Sequence, residues 1–118
     1  MGYYEVLKKW GKEVWIYNGE LYCFKKLHFN KGAACSYHYH IDKDEIFYVE
    51  EGAVLVLLGE RFDFRTLSAT IFNPYYLKKG DMLHVPTHTP HKIIGIFDIN
   101  ILSEVSTHHE DSDSYRIN

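Results

Sequence analysis

The feature that most restricts the fold is punctuation. Glycine and proline recur at Gly11, Gly19, Gly32, Gly52, Gly59, Gly80, Pro86, Pro90 and Gly95. Between them lie short runs rich in aromatic and β-branched residues: Glu13 to Tyr17, Leu21 to Phe29, Cys35 to His40, Glu45 to Val49, Ala53 to Leu58, Met82 to Val85, Lys92 to Ile96, and Ile99 to Ser106. No stretch sustains the i, i+3, i+4, i+7 apolar spacing of an amphipathic helix. Many short strands, separated by turns every 8 to 12 residues or so, predict an all-β sandwich or barrel. Asn18-Gly19, between two such runs, predicts a hairpin turn, because both residues tolerate positive φ. Residues 61–79 mix charge, phenylalanine and Asn73-Pro74, and read as a long connection with a short strand at Thr70 to Phe72.

With 118 residues and no internal repeat, residues 1–118 are expected to form one domain. The formal net charge is −3, with 13 Lys plus Arg against 16 Asp plus Glu. That balance argues against a nucleic-acid partner, which selects clustered basic residues. The longest apolar run, Ala53 to Leu58, is far short of a membrane span. The charged, Trp-bearing N-terminus lacks the apolar core of a secretory signal. Two cysteines, Cys23 and Cys35, form neither a CxxC pair nor a disulfide framework. A cytoplasmic location is therefore expected.

Chemistry concentrates in the histidines. There are eight, and four fall in two tight groups, His38 with His40 and His88 with His91. On a strand, residues i and i+2 share a face, so His38 and His40 project together. Glu45 opens the next strand after a short charged turn, and antiparallel pairing brings its carboxylate toward the imidazoles. A third nitrogen is available from the block Gly80 to His91. Three imidazoles and a carboxylate suit a divalent first-row ion and leave positions open for water or substrate.

The spacing Gly32, five residues, His38, one, His40, four, Glu45, six, Gly52 resembles the first motif of the cupin family at every defined position. The segment with Gly80, Pro86 and His91 resembles the second motif. It departs at His88, where the family usually has glycine, and at Gly95, where it often has asparagine. The resemblance implies a double-stranded β-helix, a jelly-roll barrel, with a metal in its mouth. The implied ligands are His38, His40, Glu45 and His91. The implied ion is one divalent transition metal: Mn, Fe, Zn, Ni or Co. Outside the motifs, Trp10-Gly11, Lys25, Glu104-Val105 and the ending Glu110 to Arg116 resemble the cupin domain of type II mannose-6-phosphate isomerases.

Lys25 shares strand parity with Cys23, Leu27 and Phe29, a core face. A lysine there either snorkels at a rim or reaches a ligand. Glu104 shares parity with Leu102 and Ser106, and its expected role is an ion pair or proton transfer near the metal. These two are the candidate catalytic residues. Tyr37, Tyr39 and Tyr48 alternate away from the ligands and are expected to pack between sheets or subunits, and His88 to line the mouth or cap its loop. Residues after His108 form an acidic tail whose end, Tyr115-Arg116-Ile117, predicts docking, with Arg116 facing a carboxylate or phosphate. The resulting expectation is a metal-dependent isomerase acting on a small-molecule sugar or sugar phosphate. An Fe-dependent dioxygenase and a non-catalytic carbohydrate-binding module are the alternatives. A homodimer is expected, because pairing removes exposed sheet edges.

Overall fold

A computed structural model describes residues 2–61 and 72–117. Eleven strands appear among them: β1 (Tyr4–Lys8), β2 (Gly11–Asn18), β3 (Cys23–Phe29), β4 (His38–Tyr39), β5 (Glu45–Glu51), β6 (Ala53–Gly59), β7 (Phe72–Lys78), β8 (Met82–Val85), β9 (His91–Gly95), β10 (Asn100–Ser106) and β11 (Tyr115–Arg116). The only helical element described is one 3-10 turn, Asp111–Asp113, and no described helix is long and apolar enough to cross a membrane. The strands form two antiparallel sheets, ordered β1-β2-β3-β10-β5-β8 and β11-β4-β9-β6-β7. This is the expected all-β jelly roll.

Alternation builds the core. β3 buries every second residue, Cys23, Lys25, Leu27 and Phe29. β5 does the same with Glu45, Phe47 and Val49. Leu27, Phe29, Phe47, Val49 and Leu102 of one sheet pack with Val54, Val56 and Ile93 of the other. Apolar burial of this kind contributes about 25 cal/mol per Å². Consecutive strands β5 and β6 lie in different sheets, so Gly52 turns the corner between them. Its φ is 72°, and a Cβ there would stand 2.1 Å from the Ile99 carbonyl oxygen, so both conformation and space require glycine.

Two expectations need correction. The hairpin between β2 and β3 exists, but its loop is Gly19 to Tyr22, closed by Gly19 N–H donating to the Tyr22 carbonyl at 2.8 Å. Asn18 pairs with Cys23 and remains in the ladder. Its side chain instead exchanges two hydrogen bonds with the His109 backbone, both at 3.0 Å, which displaces the two-residue turn. The segment read as a connection contains β7, which pairs with β6 from Ala53↔Lys78 to Gly59↔Phe72. β7 is an edge strand exposed on both faces except at Leu77, so it has no alternation to read, and an edge tolerates Pro74. Of the short strand expected at Thr70 to Phe72, residues 70 and 71 lie outside the described residues. β1 also escaped the sequence reading, for the same reason: it is an exposed edge.

Candidate metal centre

β4 and β9 place His38 directly opposite His91, so both side chains leave the same face of the sheet. His40 follows β4 and Glu45 opens β5 in the facing sheet. The rings of His38, His40 and His91 converge, with centroids 4.5–5.4 Å apart. One ligand nitrogen from each lies within 4.8 Å of the others. Glu45 joins from the side, its Oε1 3.0 Å from His91 Nε2 and 3.7 Å from His40 Nε2.

Each ring is oriented by a backbone carbonyl. The Nδ1 of His38 lies 2.7 Å from the Ser36 oxygen, that of His40 2.7 Å from the Asp113 oxygen, and that of His91 2.9 Å from the Thr89 oxygen. A carbonyl only accepts, so Nδ1 carries the proton and donates it in all three. Each Nε2 is therefore a lone pair. Burial, reinforced by His91 and His40, pushes His38 down to about 3 and keeps it neutral. Burial also lowers His40. Burial opposes ionisation of Glu45, but the Lys43 ammonium favours it and holds the carboxyl well below its usual range. Glu45 Oε1, the oxygen that faces the imidazoles, has no hydrogen-bond donor. Imidazole lone pairs and a buried carboxylate facing one another at 3.0 Å repel unless a cation lies among them. The donor set fits a divalent metal, with its outer carbonyls already in place.

Sequence reasoning missed Lys43. Its charged turn, Asp42-Lys43-Asp44, reads as solvated, yet Lys43 is 3% exposed. Its ammonium lies 2.9 Å from Glu104 Oε2, 3.3 Å from Glu45 Oε2 and 3.1 Å from His109 Nδ1. Three acceptors face three protons. Burial works against this charge, but Glu104 and Glu45 prevail and raise its pKa. Since Lys43 donates to His109 Nδ1, His109 Nε2–H donates to Asp111, 2.8 Å away. The spacing of His109 and Asp111, one residue apart in an acidic tail, was the available signal.

The tail docks on β4. Tyr115 pairs with Tyr39 and Arg116 with His38. The buried Asp113 carboxylate accepts from the backbone N–H groups of Ile41, Asp42 and Lys43 at 2.9–3.2 Å. Glu104 lines a cavity of about 670 Å³ together with His38, His40, Glu45 and His91. Lys25 does not line it. It is completely buried, 3.8 Å from the centre of the Trp15 ring and 4.0 Å from Glu13, and sits opposite Glu104 in the β3–β10 register. Of the tyrosines, Tyr37 is buried against Phe72, Tyr39 stacks on Tyr115, and Tyr48 is exposed. His84 faces Asp44 at 2.7 Å on the surface. His88 caps its loop, its N–H donating to the His40 carbonyl at 2.6 Å, and is not among the cavity-lining residues. It adopts φ 60°, the left-handed region that glycine favours. At Gly95 the missing side chain has a cause: a Cβ would stand 2.4 Å from the Asn30 oxygen and 2.9 Å from Asn100 Nδ2.

The Cupin domain family matches residues 25–99. Over 87 residues the chain is 34% identical to an uncharacterized protein of Methanocaldococcus jannaschii, covering 70% of this chain and 59% of that one. This chain thus spans 59% of that relative's length. Among solved structures, KdgF from Halomonas sp. superposes with a TM-score of 0.75 at 19% identity, covering 95% of this chain and 90% of its own. Oxalate decarboxylase from Bacillus subtilis does so with 0.81 at 15% identity, covering 98% and 30%. The capsular polysaccharide assembling protein CapF from Staphylococcus aureus gives 0.79 at 14% identity, covering 100% and 33%. At such identities the likeness is one of fold. The Bacillus enzyme is described as having Mn(II) centres.

Proposed function

From the premise that this chain belongs to the cupin family, we propose that it is a metal-dependent enzyme of small-molecule metabolism. The reaction is an isomerisation of a sugar or sugar phosphate, with a proton moved between adjacent carbons. His38, His40, His91 and Glu45 hold the ion. When bound, a divalent ion supplies Lewis-acid polarisation of a carbonyl oxygen. The observation that carries this reading is the convergence of three Nε2 lone pairs on a cavity wall that also bears Glu104.

Glu104 is the proton carrier in this scheme. Its carboxylate is anchored by Lys43 at 2.9 Å yet borders the cavity, so it reaches a bound molecule while held in one place. Lys25, behind the cavity wall, is a positioning residue. It braces Trp15 and Glu13 and adds positive charge opposite Glu104. The cavity's deep wall, with Leu27, Phe47 and Ile93, excludes water from the transfer. The expected homodimer belongs to the same proposal. β1 is an unpaired edge carrying exposed Tyr4 and Leu7, and light scattering tests it, a monomer mass overturning it.

The test is an isomerisation assay on metal-loaded protein, using aldose and ketose phosphates and the free sugars. Glu104→Gln should lower kcat by roughly 10²–10⁴-fold while metal content stays unchanged. Turnover that survives the substitution removes Glu104 from the mechanism. Ligand binding without turnover at full metal occupancy identifies a binding module instead.

A further inference from the structure

The cavity carries four carboxylates, Glu13, Glu45, Glu104 and Asp111, and each is already engaged. Glu13 accepts from Trp15 Nε1 at 3.0 Å, Glu45 and Glu104 face Lys43, and Asp111 accepts from His109. It also carries four cations, Lys8, Lys9, Lys43 and Arg116. Lys43 is saturated by three acceptors, whereas Lys8, Lys9 and Arg116 form no close ion pair among the described residues, and Lys8 acts on Asp111 only through its field. The whole chain is net negative. The lining as a whole balances, but among its exposed charges Lys8, Lys9 and Arg116 outnumber Asp111, so the solvent side of the cavity is positive, and a divalent ion adds to that field.

Their placement is fixed by the fold. Arg116 stands opposite His38 in the β4–β11 ladder, so its side chain leaves the same face as a ligand imidazole. Lys8 and Lys9 lie at the tip of the β1–β2 hairpin. That tip is pinned where Trp10 stacks on Phe29, centroids 4.2 Å apart, and the Trp10 carbonyl accepts from Asn30 N–H at 2.8 Å. We propose that Lys8, Lys9 and Arg116 form an anion subsite that holds the phosphoryl or carboxylate end of the substrate while its hydroxylated end faces the three histidines. The assignment deepens the metal-dependent reading above and selects acidic substrates over neutral sugars. Guanidinium binds either anion through paired N–H groups, and the flanking ammonium groups add point charge.

The experiment is an NMR titration of chelator-treated, metal-free protein with inorganic phosphate and, separately, acetate at matched ionic strength. Rim binding does not need the ion, so saturable shifts are expected at Lys8, Lys9, Trp10 and Arg116. The K8Q/K9Q/R116Q variant should bind about tenfold more weakly or not at all, with its thermal midpoint and metal content unchanged. Tighter binding of phosphate than of acetate assigns a phosphoryl group, and the reverse order assigns a carboxylate. Absence of saturable binding by either anion, or undiminished binding in the triple variant, overturns the subsite. Rim binding by a protein that takes up no metal overturns the metal reading alone, so the two failures are distinguishable.

Discussion

A histidine becomes a ligand through what holds its other nitrogen. Ser36, Asp113 and Thr89 each supply a carbonyl to one Nδ1, which leaves every Nε2 bare. The sequence showed the histidines, because an i, i+2 pair followed by a glutamate has few structural uses in a strand. It did not show Lys43, because burial of a turn lysine depends on Glu104 of β10 and His109 of the tail, both distant in sequence, as well as on the nearby Glu45. Lys43→Met should leave Glu45 and Glu104 uncompensated and cost about 3–5 kcal/mol by chemical denaturation. A loss under 1 kcal/mol or so would mean that the two carboxylates do not depend on it. His88 makes a second residue-scale test. Its left-handed backbone is tolerable for histidine but not for a β-branched side chain. His88→Gly should match or exceed the wild-type stability, while His88→Val should lose about 1–3 kcal/mol. Equal melting temperatures for the two variants would contradict this.

Strands announce themselves when one face is buried. β3, β5 and β10 alternate and were legible, whereas β1 and β7 are exposed edges without a period. The C-terminal segment was legible only in part. Its closing Tyr115-Arg116-Ile117 suggested docking, but nothing in its composition revealed that Asp113 caps three backbone N–H groups beside His40. Deletion of residues 108–118 should therefore weaken metal binding by about 10–100-fold, since His40 loses its Nδ1 acceptor. A competition titration with a chelating dye measures it, and unchanged affinity would detach the segment from the site.

At the scale of the whole molecule, one sheet pairs residues 38 and 91, the facing sheet brings Glu45 to them, and the two enclose a cavity lined from both. Burying neutral imidazoles makes that assembly sensitive to acid. His38 is lowered from the ordinary 6.5 to about 3 by burial and by its neighbours. Between those values the unfolded chain binds a proton that the folded chain does not. The associated stability is fully present above pH 6.5 and is lost as pH falls toward 3. Glu45, held low by Lys43, works in the same direction. The melting temperature of the metal-free protein should fall through this window, and one that stays constant down to about pH 4 would contradict the buried, neutral cluster.

In the proposed site, four side chains from two separate stretches of chain share one cation. Crystals of the metal-loaded protein, measured at the absorption edge of the bound ion, test it most directly. A single anomalous peak is expected about 2.0–2.3 Å from Nε2 of His38, His40 and His91, with a Glu45 oxygen completing the set. A peak held by other residues, or none in this cavity at full metal content, would contradict it.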